Sequence, residues 1–201
     1  MFHIYNQGNN RGKIFYCEEN YDYFLKKIEH FILPYVDILA WCLMPNHFHL
    51  MVLVRHTELE IEKNILSMQK VAIMKAKKRT LNDSIGIMLR SYTRGVNKQE
   101  KRSGSLFRNE TKAVSVNNIK SLMPTLSITE NTRLLTSLLS EKQYPQICFN
   151  YIHLNPVKAK LVTDPTHWKY SSAKDYTGKR KSHLTNVKIA GDYVNTTQAF
   201  T

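Results

Sequence analysis

The chain has 201 residues, which is enough for one domain with a well-buried core but too short for two independent domains of ordinary size. Lysine and arginine outnumber aspartate and glutamate by 29 to 16, and the net charge of +13 favours a polyanionic partner, nucleic acid above all, because neutralised phosphates release counterions. Charge alone leaves open a basic protein whose lysines only face water.

The N-terminal part of the chain predicts a strand, a helix and a hairpin. Apolar residues recur at spacings of three and four between Glu18 and Ile32, which is the period of a helix that Pro34 ends. Two runs of strand-forming residues follow, separated by a short turn that contains Pro45. The predicted strands are residues 2–7, ahead of a glycine-asparagine loop, and residues 35–43 and 47–54 of the hairpin.

The rest of the chain predicts two further helices and one more strand. Apolar residues amid polar ones indicate a second amphipathic helix from Glu58 to Lys78, and residues 113–116 indicate a fourth strand. A helix from Tyr144 to Leu154 is expected to stop before Pro156, because the residue preceding a proline is pushed out of the helical region. After residue 162 the periodicity is weak, so the C-terminal end is expected to be loosely held.

This order of elements predicts the fold class. Strand, helix, strand, strand, helix, strand, helix is typical of an α+β fold, with helices on one face of an antiparallel sheet. A ferredoxin-like split βαβ core fits the order, and the last helix is then an addition to that core.

The three cysteines and the chain's N-terminus bear on location. Cys17, Cys42 and Cys148 are odd in number and lack paired spacing, which argues against a disulfide framework or a cysteine zinc site. The first residues lack the basic-then-apolar order of a signal peptide, and no apolar run reaches the roughly 18 residues of a membrane span. We therefore expect a cytoplasmic protein with no membrane partner.

A His-x-His pair follows the hairpin turn. In a strand, alternate side chains share a face, so His47 and His49 project together while Phe48 and Leu50 point towards the helices. Two neutral imidazoles on one face are suited to binding a divalent metal. Two histidines that only pack and hydrogen-bond fit the same pattern.

A tyrosine and an asparagine form the second candidate site. Tyr151 and Asn155 are four residues apart and share one face if their segment is helical. A phenol has an ordinary pKa of about 10, so it needs a metal, a cation or a base to act as a nucleophile at neutral pH. A tyrosine that anchors the helix to the sheet is the alternative.

Beyond these residues, ordered blocks of the chain resemble the HUH single-tyrosine transposases, and most closely their branch of REP-associated tyrosine transposases. The blocks span most of the chain to about residue 176, in the family's order. They are residues 3–9, residues 40–50 with the His-x-His pair, residues 104–107, residues 151–162 and residues 168–172.

The resemblance implies a ferredoxin-like domain with a metal-assisted tyrosine nucleophile. In it His47 and His49 bind Mg²⁺ or Mn²⁺, Asn155 matches a position that can complete the metal site, and Tyr151 forms a 5′-phosphotyrosine bond. The implied partner is single-stranded or hairpin DNA, bound by a monomer or a homodimer in association with the nucleoid. The domain would cover residues 1–176, with a possible insertion at about 117–140 and a tail at 177–201.

Several basic residues are candidates for DNA contact. A cationic stretch around residues 92–104 can follow a DNA backbone, although a basic loop in solvent fits it equally. His153 points away from the face of Tyr151, so packing or DNA contact is favoured over metal binding. The candidates for DNA binding are Arg90, Arg94, Lys98, Lys101, Arg102, Arg108, Lys112 and Lys158.

Two other functions compete with strand transfer. A non-catalytic protein that binds hairpin nucleic acid would keep the same fold and charge. Metal-dependent hydrolysis by water would leave Tyr151 with a structural role only.

Overall fold

The computed structural model describes residues 1–61, 77–116 and 143–196. None of the helices within these ranges is long and apolar enough to cross a membrane. The strands are β1 Phe2–Gln7, β2 Val36–Met44, β3 His47–Val54, β4 Glu58–Ile61, β5 Lys77–Thr80 and β6 Lys112–Ser115. The helices are α1 Glu18–Phe31, α2 Leu81–Gln99, α3 Tyr144–Lys158, α4 Ala173–Tyr176 and α5 Val187–Gly191, with 3-10 turns at Asn9–Arg11 and Pro165–His167.

Four strands form an antiparallel sheet in the spatial order β2, β3, β1, β6. Helix α1 connects β1 to β2, and α2 precedes β6, so the sheet has the split βαβ connectivity of a ferredoxin-like fold. The predicted α+β class is confirmed, together with the first strand, the first helix, the β2–β3 hairpin and the fourth strand of this sheet.

The sheet is covered on both faces. Phe48, Leu50 and Val52 of β3 lie under α1 and α2 in the larger core, as the alternation in the sequence predicts. On the opposite face Met51 lies beneath α3, whose Phe149 is fully buried there. Helix α3 therefore covers the face from which the two histidines of β3 project.

Helix α2 was not among the predicted elements. Thr80 caps it, because its Oγ1 accepts a hydrogen bond from the Asp83 backbone N–H at 3.1 Å and the Asp83 carboxylate accepts one from the Thr80 N–H. Two glycines interrupt its apolar pattern, and Gly95 leaves room for Tyr23, which would lie 3.1 Å from an added Cβ. The buried residues nevertheless recur at helical spacing: Ile85, Met88, Leu89, Tyr92 and Val96.

The helix predicted from Glu58 to Lys78 is wrong at both ends, where the structure has β4 and β5. Charged and apolar residues alternate along β4, which is the period of a half-exposed strand. The ion pair between Lys78 Nζ and Glu58 Oε1, at 3.0 Å, joins the two strands. Residues 62–76, which hold the middle of the predicted helix, lie outside the described residues, as does the predicted insertion at 117–140.

Helix α3 does not stop before Pro156, as was predicted, but continues to Lys158. Pro156 lacks an N–H, so the carbonyl of Ile152 loses its helical partner. This proline lies in the last turn and is buried, so packing offsets the loss of one hydrogen bond. The helix resumes its pattern at once, since the Ala159 N–H donates to the Asn155 carbonyl at 2.9 Å.

The chain after residue 176 packs on β2, in contrast to the loosely held end that was predicted. Thr185 Oγ1 accepts a hydrogen bond from Trp41 Nε1 at 3.0 Å and donates one to Asp175 Oδ2. Ala190 of α5 is fully buried. These contacts are made by short segments that show no periodicity, which explains why the sequence pattern does not reveal them. Residues 197–201 lie outside the described residues.

Buried His153 makes stability depend on pH. It packs against Phe149 and Tyr176, its Nε2 lies 2.6 Å from Ser172 Oγ, and burial lowers its pKa from 6.5 to about 3. The unfolded chain thus binds one more proton between these values, so the free energy of unfolding should fall as the pH drops below about 6.5. His153→Gln should reduce that slope by about 1.4 kcal/mol per pH unit. Urea titrations of the wild type and the variant at pH 7, 6 and 5 measure the slope. An identical slope in the two proteins would contradict the lowered pKa of His153.

Candidate active site

A cleft of about 470 Å³ opens where β1, β3 and α3 meet, and we call it the active-site cleft. Strands and helix that are far apart in sequence contribute to it. Its lining includes all four residues predicted for catalysis and metal binding: His47, His49, Tyr151 and Asn155. The structure thus brings the two predicted halves of the site together.

Pairing between β3 and β1 sets the sheet side of the cleft. The ring centroids of His47 and His49 lie 4.9 Å apart on one face. In the antiparallel register Gln7 is opposite His47 and Tyr5 is opposite His49. Directly opposite residues share a face, so the two histidines lie on the same side of the sheet as Tyr5 and Gln7. His3 is two residues before Tyr5 and lies on that side as well.

The turn before His47 is held by the loop after β1. An added Cβ on Gly8 would lie 2.1 Å from the Gly12 carbonyl oxygen, so only glycine fits where the Gly8 N–H donates to the Asn46 carbonyl at 2.8 Å. Asn46 Nδ2 donates to the Arg11 carbonyl at 3.1 Å, which turns Asn46 Oδ1 towards His47 Nδ1 at 2.6 Å. Because that oxygen only accepts, His47 Nδ1 carries the hydrogen and Nε2 keeps its lone pair.

Asn155 presents a second acceptor to the same nitrogen. Its Nδ2 donates to the Tyr151 carbonyl at 3.2 Å, which leaves Oδ1 facing His47 Nε2 at 3.4 Å. Burial lowers the pKa of His47, with the Asn155 contact acting in the opposite direction, so the ring is neutral at pH 7. Two lone pairs then face each other, and a bound cation would satisfy both.

His49 is held by a second buried histidine, His3. His49 Nδ1 lies 2.9 Å from His3 Nε2, and the two rings are 4% and 1% exposed. Burial, followed by the nearby His3 and His47, lowers the pKa of His49 well below its usual value, and burial lowers that of His3 to about 3. His49 Nε2 is buried without a hydrogen-bond partner in the described part of the chain. Such a nitrogen is costly unless a ligand uses it.

The side chains that face each other in the cleft offer ligand atoms of the kind that bind a divalent cation. In residues 1–61, 77–116 and 143–196 no group of three or more His, Cys, Asp or Glu side chains could hold a metal. The available set is instead two neutral imidazoles and an amide oxygen, from His47, His49 and Asn155. Imidazole nitrogens bind divalent transition-metal ions, and an amide oxygen is a ligand that Mn²⁺ and Mg²⁺ accept. Mg²⁺ commonly takes its remaining ligands from water and phosphate. The set would thus leave coordination positions for a substrate phosphate.

Tyr151 lies over His49 on the helix side of the cleft. The two ring centroids are 5.4 Å apart and nearly perpendicular. Burial raises the pKa of Tyr151, while its side-chain hydrogen bond with Asn155 lowers it. Lys158 Nζ lies 5.3 Å from the Tyr151 ring centroid, a position that α3 provides because it continues past Pro156. The phenol is protonated at neutral pH, and added positive charge would favour its ionisation.

Two of the predicted DNA-binding residues line the active-site cleft. Arg108 and Lys112 both lie in its wall, and Lys112 forms an exposed ion pair with Glu110. A third predicted DNA-binding residue, Lys158, lies beside the Tyr151 ring. DNA contact by these residues stays a prediction.

The other predicted DNA-binding residues lie along or just after α2. Arg90 and Arg94 line a neighbouring cleft. Lys98, Lys101 and Arg102 are absent from the lining of either cleft, and Arg102 Nη1 donates to the Tyr16 hydroxyl at 3.1 Å. His153 is fully buried, which agrees with packing, one of the two roles favoured over metal binding, and not with DNA contact.

Sequence reasoning missed the residues that orient the two histidines. His3 and Asn46 fall only within the wider motif blocks of the sequence, yet each contacts the Nδ1 atom of one predicted ligand. The sequence does contain a signal for His3, because β1 as an antiparallel partner of β3 places alternate residues beside the two histidines. Asn46 shows no such signal, since its amide orientation depends on a loop contact.

The contact between His3 and His49 predicts an effect on metal binding. If His49 Nε2 binds a cation, its Nδ1–H must donate to His3 Nε2, and partners of this kind are worth about 10–100-fold in metal affinity. His3→Leu, which cannot accept, should weaken Mn²⁺ binding by that factor, whereas His3→Gln should lose less because its amide oxygen accepts. Electron paramagnetic resonance titration of free Mn²⁺ measures this. Equal affinities for both variants and the wild type would refute the proposed role of His3.

No protein-family model matches the chain, and neither does a curated protein. One solved structure that is similar is described as a REP associates tyrosine transposase bound to a REP hairpin. It has 12% sequence identity and a TM-score of 0.47, with 92% of this chain and 86% of that chain covered. At this identity and TM-score the match is not evidence for the candidate site. The site is inferred from the contacts within this chain alone.

Proposed function

We propose that the protein is a metal-dependent DNA strand transferase. It would cleave single-stranded DNA, at hairpin-forming repeats, through a covalent bond between Tyr151 and a 5′-phosphate. The main support is the active-site cleft, in which His47 Nε2 and Asn155 Oδ1 face each other as acceptors beside the Tyr151 phenol. The net charge of +13 and the resemblance of the motifs to HUH transposases point in the same direction.

Tyr151 supplies the nucleophile in this proposal. Its Oη bonds to phosphorus as the bond from phosphorus to the 3′ oxygen breaks, and the phenolic proton ends on the departing 3′-hydroxyl. Attack by another 3′-hydroxyl reverses these changes and joins two strands without ATP, because the phosphotyrosine bond retains the energy of the cleaved linkage. A divalent cation at His47, His49 and Asn155 would stabilise charge on the phosphate oxygens and favour the phenolate.

Cationic side chains around the cleft would position the phosphate. Arg108 and Lys112 lie in the wall formed by the residues after α2, and Lys158 lies beside the Tyr151 ring. Arginine and lysine bind phosphate oxygens through charge-assisted hydrogen bonds. The ion pair of Lys112 with Glu110 is exposed, so a phosphate can compete for Lys112.

A covalent-capture assay tests the proposed activity. The probe is a labelled single-stranded DNA library in which a fixed hairpin is flanked by randomised nucleotides on both sides. Wild-type protein is incubated with Mg²⁺, with Mn²⁺ or with EDTA, and adducts are recovered after denaturation in detergent. We expect adducts with either metal and none in EDTA, because the two histidines and Asn155 have no charge of their own to stabilise the phosphate.

The same assay separates the competing functions. Tight binding of the hairpin without an adduct under either metal would favour the non-catalytic binding protein. Cleaved DNA without an adduct would favour hydrolysis by water. Either outcome refutes strand transfer through Tyr151.

A further inference from the structure

A second cleft adjoins the active-site cleft and is lined by a different set of residues. It has a volume of about 460 Å³ and lies between α2 and residues 104–111. We call it the α2 groove. Asn6 and Arg108 line both clefts, so the groove opens from the active-site cleft at these two residues.

The junction between the clefts is held by the backbone of Arg108. Its N–H donates to the Gln7 carbonyl at 2.9 Å, and its carbonyl accepts from Asn6 Nδ2 at 3.2 Å. Both contacts are to the end of β1, beside the histidines. The exposed Arg108 side chain is therefore fixed at its base where a strand leaving the active-site cleft would pass.

The groove is cationic and carries many hydrogen-bond donors. Arg90 and Arg94 lie one turn apart on α2, and none of the described residues that line the groove is acidic. Within the described ranges neither arginine forms an ion pair with a carboxylate, in contrast to Lys112 and Lys78. The remaining polar lining is hydroxyl and amide. Asn6, Asn97 and Ser105 donate their side-chain hydrogen bonds within the protein, and the other members are Thr93, Asn109 and Thr111.

This chemistry matches a sugar–phosphate backbone better than stacked bases. Proteins that hold bases of a single strand offer exposed aromatic faces, whereas the one aromatic residue in the groove, Phe107, is only 4% exposed. Arginine, hydroxyl and amide donors are the groups that contact phosphates. Arg90 and Arg94 are four residues apart, about 6 Å along the helix axis, so they share one face of α2 and can contact the same backbone.

We propose that the α2 groove binds the phosphodiester backbone of the same nucleic acid whose scissile phosphate enters the active-site cleft. The strand would leave the active-site cleft past the Arg108 side chain. It would then run along α2 and contact Arg94 and, after it, Arg90. This inference rests on the proposed function only for the presence of a strand in the active-site cleft. The bound backbone belongs either to the single-stranded flank or to the hairpin stem, and both offer the same phosphates.

Fluorescence anisotropy in EDTA, which excludes metal-dependent cleavage, tests the groove. The probes are a thirty-nucleotide oligo(dT) and a blunt DNA hairpin without flanks. Arg90→Ala/Arg94→Ala is compared with Lys179→Ala/Lys181→Ala, a control that removes the same charge from exposed positions outside the lining of both clefts. The dependence of affinity on salt is measured for each pair.

The expected result is a loss specific to the arginine pair. Its slope of log affinity against log salt should fall by about 1.4 with oligo(dT) if the flank binds, or by about 1.8 with the hairpin if the stem binds. The lysine pair should keep the wild-type slope. Equal loss of slope for both pairs, or none for the arginine pair, overturns the proposal.

The outcome is independent of catalysis. If the wild type forms no covalent adduct but the arginine pair still shows the specific loss, strand transfer is refuted and the groove stands. If adducts form normally but the arginine pair binds both probes with the wild-type slope, the groove proposal is refuted and strand transfer stands.

Discussion

Tyr151→Phe will abolish covalent attachment to DNA while leaving DNA binding nearly intact. Removing a nucleophile should reduce adduct yield by at least roughly three orders of magnitude. Binding should weaken by no more than about tenfold, because the variant loses a single hydroxyl and one hydrogen bond is worth about 0.5–1.5 kcal/mol. Adduct yield after denaturation and anisotropy in EDTA measure the two effects separately.

Tyr144→Phe provides a matched control for that substitution. Tyr144 is a second tyrosine of α3, but it is fully packed at the start of the helix and lies outside the active-site cleft, whereas Tyr151 is half-buried in the cleft. Its variant should form adducts at close to the wild-type yield. Wild-type cleavage by Tyr151→Phe would instead assign the reaction to water and leave Tyr151 a structural residue.

His47→Ala and His49→Ala should each weaken metal binding and strand cleavage by at least about 10–100-fold, since loss of a ligand should cost no less than loss of the residue that orients it. Mn²⁺ titration and adduct yield at saturating DNA measure the two losses. His56→Ala, an exposed histidine just after β3, is the control and should retain both.

The pH dependence follows from the same two histidines. A metal binds the neutral imidazole, and burial lowers the pKa of both rings below 6.5. Mn²⁺ affinity should therefore persist at pH 6 and be lost only under more acidic conditions. A tenfold loss between pH 7.5 and 6 would contradict neutral, buried ligands.

Local periodicity predicted the four-stranded sheet and its first helix, but not helix α2 or the short strands β4 and β5. The sheet and α1 follow from alternation and helical spacing within single segments. Helix α2 shows the same spacing from Ile85 to Val96, but glycines and surface cations interrupt it in the sequence. The strands β4 and β5 are only four residues each, too short for their alternation to outweigh a helical pattern over residues 58–78.

The candidate site was predictable in its residues but not in its contacts. His47 and His49 share a face by strand alternation, and Tyr151 and Asn155 share one by helical spacing. Their meeting depends on α3 crossing the histidine face of the sheet, which is a tertiary arrangement. The partner of His49 could be predicted only after β1 and β3 are paired in the correct register.

Mass spectrometry of the covalent adduct tests the central claim most directly. After nuclease digestion of the DNA, trypsin releases residues 143–158 as one peptide that contains both Tyr144 and Tyr151. We predict that a 5′-linked nucleotide is carried on this peptide and that fragmentation places it on Tyr151. A nucleotide on Tyr144 or on any other residue, or an unmodified peptide from protein that has cleaved DNA, would contradict the proposed mechanism.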